Sequence, residues 1–278
     1  MDIVSPKGSI SGVMLLAQFE LKKILFSTRG LIAVIAFALV WLLILWYPVK
    51  EASVYLFSTE FKQFITALFG EDSVSELFTW QVPEMAIVWV AALYLFPLFS
   101  ILVSADQFAS DRARGTFRFL TLRTSRNTLF FGRFTGYLLI QALLLLLTLF
   151  ATLLLVAYRD ISAILPALGS SLFVFVNIMI VLLPYTALMA ILSLYANSAR
   201  QATIYAVLLL AGISIINNIL DYYLPDLSSL LQWVAPGAQL SMMINTHGVS
   251  SLPIAAIPLV QAAVLLILGK TYMARIAL

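Results

Sequence analysis

The chain has no cysteine and a single histidine, His247. The first absence excludes disulfides, thiolate metal sites and cysteine nucleophiles, and the second excludes histidine-cluster metal centres and haem pairs. Charge is scarce too. Asp, Glu, Lys and Arg make up 10% of the 278 residues, where a soluble domain has about a quarter. In their place, 62% of the residues are hydrophobic, more than one soluble core of this length can hide, and several apolar runs reach the roughly 20 residues that cross a bilayer as helix. This is the composition of an all-α polytopic membrane protein with one transmembrane domain over residues 1–278.

Six runs read as transmembrane helices: 30–47, 85–104, 134–158, 164–195, 203–220 and 252–268. The fourth is too long for a straight crossing, and a kink at Pro184 or an interfacial first part would accommodate it. Residues 1–29 read as a polar tail and an N-terminal interfacial helix. There Leu15, Leu16, Phe19 and Ile24 are set against Gln18, Glu20, Lys22 and Lys23, with Arg29 at its end, the pattern of a helix lying on a membrane surface. A signal peptide fits poorly, because the following apolar stretch outruns an h-region of about 7–15 residues and no small-x-small cleavage site follows. Residues 48–83 read as short amphipathic helices, and 221–250, with two prolines, as short re-entrant or outer helices before span six. Their aromatic residues, among them Phe61, Trp80, Tyr222 and Trp233, suit a gate or docking surface for an outer accessory protein, or an aromatic belt at the membrane surface.

With six spans and both ends on one side, the N-terminus, 105–133, 196–202 and the C-terminus share that side. It carries 13 of the 16 basic residues, whereas the opposite side carries only Lys50, Lys62 and Arg159 with nine of the 13 acids. Lys and Arg accumulate in cytoplasmic loops, so both termini are expected in the cytoplasm of a cell-membrane protein.

Between their ends the six runs contain no Asp, Glu, Lys, Arg or His. Proton relays and ion pathways through membranes are marked by such residues. The polar groups available there are neutral, including Gln141, Asn177, Tyr185, Ser193, Asn217 and Asn218, and Asn177, Tyr185, Asn217 and Asn218 are the candidates for a translocation path. No Ser/His pair, carboxylate pair or H-E-x-x-H motif lies in the runs, and no nucleic-acid-binding pattern is present. Gly269-Lys270-Thr271 resembles the end of a phosphate-binding loop, but Val264 occupies the first glycine's place and a membrane span, not a strand, leads in. A chain with this profile carries no energy source or cofactor site of its own.

One segment stands apart. "DQFASDRARGTFRFLTLRTSRNTLFFGRF", residues 106–134, holds six arginines between two apolar runs. Ala113, Thr116, Phe117 and Leu120 fall on one helical stripe and Arg114, Arg118 and Thr121 on the next, which predicts one short amphipathic helix; Ser125 is a candidate N-cap for the helix that follows. Gly132 and Gly136 form a G-x-x-x-G, suited to close helix contact or to local packing near the headgroups. Two readings fit the arginines: an anchor to anionic lipid headgroups, or a docking helix for a cytosolic partner.

Asp111, Gly115-Thr116, Phe119-Leu120, Arg123-Thr124-Ser125-Arg126 and Gly132-Arg133, in that order, resemble the signature of type 2 ABC exporter permeases; Thr124 stands where many members have proline. "FELKKILFSTRG", residues 19–30, is similar to that family's interfacial helix. The resemblance implies a coupling helix between spans two and three that docks on a separate ATP-binding subunit, with Asp111, Arg112, Gly115, Thr116, Arg118, Arg123, Ser125 and Arg126 at the matching positions. It places Glu20, Lys22, Lys23 and Arg29 on the interfacial helix; charge and side of the membrane alone would let Glu20 pair with one of the arginines. It further implies a second permease copy, a lipid environment, and ATP and Mg held by the partner subunit. A membrane scaffold recruiting a cytosolic partner and a secondary transporter without charged intramembrane residues are the competing readings.

Overall fold

The structure, a computed structural model, describes residues 9–51, 58–59, 63, 79–223, 233–244 and 252–275. The helices proposed for 48–83, most of the 221–250 segment and His247 lie outside the described residues or nearly so. Among the described residues every regular element is a helix. In chain order they are α1 (Ser9–Phe26), α2 (Thr28–Ile44) running on into a π turn (Leu45–Val49), α3 (Pro83–Ser104), α4 (Ala109–Ala113) and α5 (Phe117–Arg123). After these come α6 (Arg126–Arg159), a short 3-10 turn (Ile161–Ala163), α7 (Ile164–Tyr195), α8 (Ala199–Tyr223), α9 (Leu240–Ile244) and α10 (Leu252–Arg275). Six of them, α2, α3, α6, α7, α8 and α10, are long and apolar enough to cross a membrane.

The helices outrun the apolar runs that predict them. α6 begins eight residues before its run and includes Arg133, and α3 begins at Pro83 and includes Glu84. α7 passes unbroken through Pro184 over 32 residues, about 48 Å at 1.5 Å per residue, longer than the roughly 30 Å hydrocarbon core.

α3, α6 and α7 form the centre. Of the apolar window of α7, 61% is buried, against 17% for α2 and 6% for α8, so those two helices leave most of their surface uncovered by the rest of the chain. The three central helices are joined by neutral polar groups. Gln141 donates to Ser100 Oγ at 3.0 Å and Ser104 Oγ at 3.2 Å, while Thr186 donates to Gln141 Oε1 at 3.1 Å. All four are completely buried, and in hydrocarbon such groups need each other because lipid offers them nothing. At the far end of α3 and α6 the buried Glu84 takes Arg159 Nε at 2.8 Å. Beyond that end Asp160 turns the chain: the Ser162 hydroxyl and backbone N–H donate to its carboxylate at 2.7 and 2.9 Å and hold its pKa below the ordinary value.

α1 packs lengthwise along the first turns of α6. A Cβ on Gly132 would lie 2.7 Å from the Leu16 side chain, and one on Gly136 would lie 3.0 Å from Glu20 Cβ. The G-x-x-x-G therefore seats α1. At the turn from α1 to α2, the Gly30 backbone N–H donates to Ser27 Oγ at 3.0 Å, capping α2. A Cβ on Gly30 would fall 1.7 Å from the Ile24 carbonyl oxygen, so the corner admits only glycine.

The side of α1 that meets the protein corrects the expectation from sequence. Glu20, set there on the polar side, is 2% exposed, whereas Leu15 and Phe19 are 71% and 59% exposed. Gln18, Lys22 and Lys23 share the exposed side, and Glu20 alone of the polar set turns inward, where a buried charge needs a partner.

Candidate functional site

The arginine segment folds as two short helices and not one. Gly115 takes φ +67°, and the Thr116 N–H bonds to the Asp111 carbonyl and the Gly115 N–H to the Arg112 carbonyl. These are the two bonds of a glycine-terminated helix end, and they separate α4 from α5. The single stripe predicted through Ala113, Thr116, Phe117 and Leu120 is broken as a result: Phe117 is buried and Ala113 exposed. Ser125 does cap α6, accepting the Thr128 N–H at 3.1 Å.

Apolar packing holds the elbow down. Phe108 and Phe117 pack with Leu129, Phe130, Leu194 and Met273 in a second buried cluster, with the Phe108 and Phe130 rings stacked at 6.0 Å. Over this floor runs a chain of charges. Arg133, 4% exposed at its side chain, donates from Nη2 to Asp111 Oδ2 and from Nη1 to the Gln107 carbonyl. Its Nε lies 3.3 Å from Glu20 Oε1, and its guanidinium lies over the Phe108 ring at 5.2 Å. Lys23 reaches Glu20 Oε2 at 3.2 Å, Arg114 lies 3.6 Å from Asp111 Oδ1, and the Thr116 hydroxyl donates to the same oxygen at 2.9 Å. One buried guanidinium thus ties α1, α4 and α6 together.

Two further arginines cap helix ends. Arg112 donates to the carbonyls of Leu194 and Tyr195, the latter at 2.6 Å, at the end of α7. Arg126 donates to those of Met273 and Ala274, at 3.2 and 2.7 Å, near the end of α10. Both sites have unbonded carbonyls and the negative end of a helix dipole to offer a cation.

Of the residues singled out from sequence, Asp111, Arg112, Gly115, Thr116, Ser125, Arg126 and Glu20 therefore meet in one junction whose bonds lie inside the chain. Lys22 and Lys23 are exposed on α1. The side chains of Arg29, Arg118 and Arg123 fall outside the described residues. Among the described side chains Glu20 pairs with neither Arg112 nor Arg114; it meets Arg133, to which sequence reasoning gave no partner. A signal was present, since Glu20 falls in register with Val13, Ala17 and Ile24, at spacings of four, three and four residues along one face of α1, and a carboxylate on a packed face requires a buried cation. On α5 Phe119 and Leu122, one turn apart, are 71% and 83% exposed.

The neutral candidates are split by the structure. Tyr185 and Asn217 line one cavity of about 340 Å³ with Tyr94, Ser214 and Gly237. Asn177 instead donates to the Phe173 carbonyl within its own helix at 3.0 Å, and Asn218 is exposed on α8.

Fold and junction together define a class: a multi-pass helical membrane protein whose charge is gathered between its second and third long apolar helices. A sequence model of the family described as ABC-2 family transporter protein matches residues 14–271, so the chain belongs to that family, whose members are membrane subunits of ABC transporters associating with an ATP-binding subunit. Among curated proteins no significant match was found.

Proposed function

We propose that the chain is the permease subunit of an ATP-driven exporter in the cell membrane, with both termini and the α4–α5 elbow in the cytoplasm. The observation that carries this reading is the two-faced elbow: an exposed Phe119–Leu122 pair outside, and inside, bonds from Arg112 to the end of α7 and from Asp111 to Arg133 of α6, a helix that itself meets the end of α10 through Arg126 and α1 through Arg133. A motor subunit that closes on ATP would grip the outer pair, and Arg112, Arg126 and Arg133 would carry the displacement into three helices at once. Arg118 and Arg123, on the same elbow, belong to this coupling set by position. ATP and Mg would be bound by the partner, and no step of hydrolysis is assigned to this chain.

The uncovered surfaces of α2 and α8 fit a second copy of the permease, giving two permeases with two motors. Cargo would move outward past the cavity of Tyr185 and Asn217, whose neutral donors and acceptors suit an amphiphile better than a bare ion.

The test is a double variant, Phe119→Asp with Leu122→Asp, reconstituted in liposomes with the ATP-binding subunit. Removing an apolar anchor from an interface typically weakens binding by tenfold or more. Permease-dependent ATP hydrolysis should fall by about that factor while the unfolding temperature of the permease stays put, since neither side chain is buried. Undiminished hydrolysis would sink the docking assignment.

A further inference from the structure

A cavity of about 750 Å³ opens beside the junction, between α1, α2, α3, α6 and the start of α8. Its walls change character in one direction. Along α3 the lining runs from Phe99 through Leu102 and Val103 to Asp106, and from α2 back into α1 it runs from Val34 through Gly30 and Ser27 to Lys23. Both walls therefore pass from apolar to charged toward the same end. At that end Lys23, Arg114 and Arg200 converge from three different elements. The carboxylate in the same wall, Asp106, has its Oδ1 taken by the Ser110 N–H and hydroxyl. Arg200 is exposed and has no carboxylate partner among the described residues. Lys23 and Arg114 share Glu20 and Asp111 with Arg133, so three cations serve those two carboxylates. The end as a whole is left with net positive charge.

The apolar end does not stop. Val34 and Leu144 also line a second cavity of about 440 Å³, a groove between α2 and α6 walled by Phe37, Trp41, Leu147 and Leu154. From Leu144 to Leu155 this groove follows α6 for about 17 Å at the helical rise. With the stretch from Tyr137 to Leu144 in the first cavity, the path along α6 is about 27 Å, within the roughly 30 Å hydrocarbon core. Leu102, in the wall of the first cavity, is 63% exposed, so the space communicates with the membrane face of the protein.

We propose that these two cavities together bind one anionic amphiphile, a phosphate-bearing headgroup held by Lys23, Arg114 and Arg200 with an acyl chain laid in the groove between α2 and α6. A charged pocket alone would suit any small anion and an apolar groove alone any lipid tail. Their continuity, with the charge at the basic end of the spans and an apolar path running on into the hydrocarbon region, selects a membrane lipid or a molecule built like one. The site stands on these walls alone and holds whether or not the motor assignment above is right.

The test uses the full chain in detergent, with native mass spectrometry reading retained adducts. The probes are dioleoyl phosphatidylglycerol, dioleoyl phosphatidylcholine and inorganic phosphate. The anionic lipid should be retained in preference to the zwitterionic one. Arg200→Gln should lower its retention about fivefold, the worth of one basic residue facing an anionic headgroup, and Ala151→Trp, which fills the groove, should lower it independently of headgroup. Lys270→Gln, an equal loss of charge elsewhere on the exposed surface, serves as the control. The proposal is overturned if the two lipids are retained equally, if K270Q costs as much as R200Q, if A151W changes nothing, or if inorganic phosphate displaces the lipid and so marks a soluble-anion site. Each variant changes a side chain on the cavity wall or the surface, and unfolding temperatures equal to that of the parent chain separate loss of binding from loss of fold.

Discussion

Arg133 is the residue on which the junction turns. Its side chain is 4% exposed and faces Glu20 at 3% and Asp111 at 15%, so little water can take over if the guanidinium is removed. Breaking a buried ion pair from one side typically costs about 3–5 kcal/mol, because the charge left behind is uncompensated. Arg133→Met is expected to lower stability by about that amount, read as thermal unfolding in detergent. Adding Glu20→Gln and Asp111→Asn should restore most of the loss. An R133M chain as stable as the parent would show that the guanidinium does not hold α1 and α4 to α6. Arg133→Lys should fall between the two, since one ammonium cannot serve two carboxylates and the Gln107 carbonyl with the planar fork of a guanidinium. In the sequence Arg133 closes the signature that opens span three, but nothing there names its partner. Its partner Glu20 lies more than a hundred positions earlier, and only the packing of α1 on α6 brings them together.

At the level of elements, glycine decides how closely helices approach and where they stop. Gly136→Leu would push its side chain into Ala17 and Glu20 of α1; overpacking of this kind costs about 1–3 kcal/mol, and α1 should become more accessible to protease. Because the chain has no cysteine, the same contact can be trapped. A Cβ at Gly12 would touch the Thr128 side chain, 3.2 Å from its Cγ2, so Gly12→Cys with Thr128→Cys should cross-link under oxidation in the parent background and fail in G136L. The cap at Ser125 was legible because it needs only a serine ahead of a helical run. The split of α4 from α5 was not, since the apolar spacing continues straight across Gly115 and only the backbone turn there, fixed by hydrogen bonds to Asp111 and Arg112, ends the first helix.

For the whole molecule the open question is what covers α2 and α8. Single cysteines scanned along residues 204–219 of α8, in a chain otherwise free of them, should cross-link between copies with a repeat of three to four residues if α8 faces a second permease. Uniform failure along the scan would place lipid there and exclude that helix from the dimer contact.

The sequence alone determined that the chain is helical and multi-pass, where its six long helices run to within a turn or two, and which loop holds the arginines, because hydrocarbon accepts only long apolar helices and leaves charge at their ends. Tertiary structure decided what those charges do. Whether an arginine faces outward, caps a neighbouring helix or pairs with a distant glutamate depends on which helix ends meet, and nothing in the local order of residues encodes that. The elbow predicted as one arginine-rich helix is two, held from inside by Asp111 on Arg133 and by Arg112 on the end of α7, with Phe119 and Leu122 left exposed.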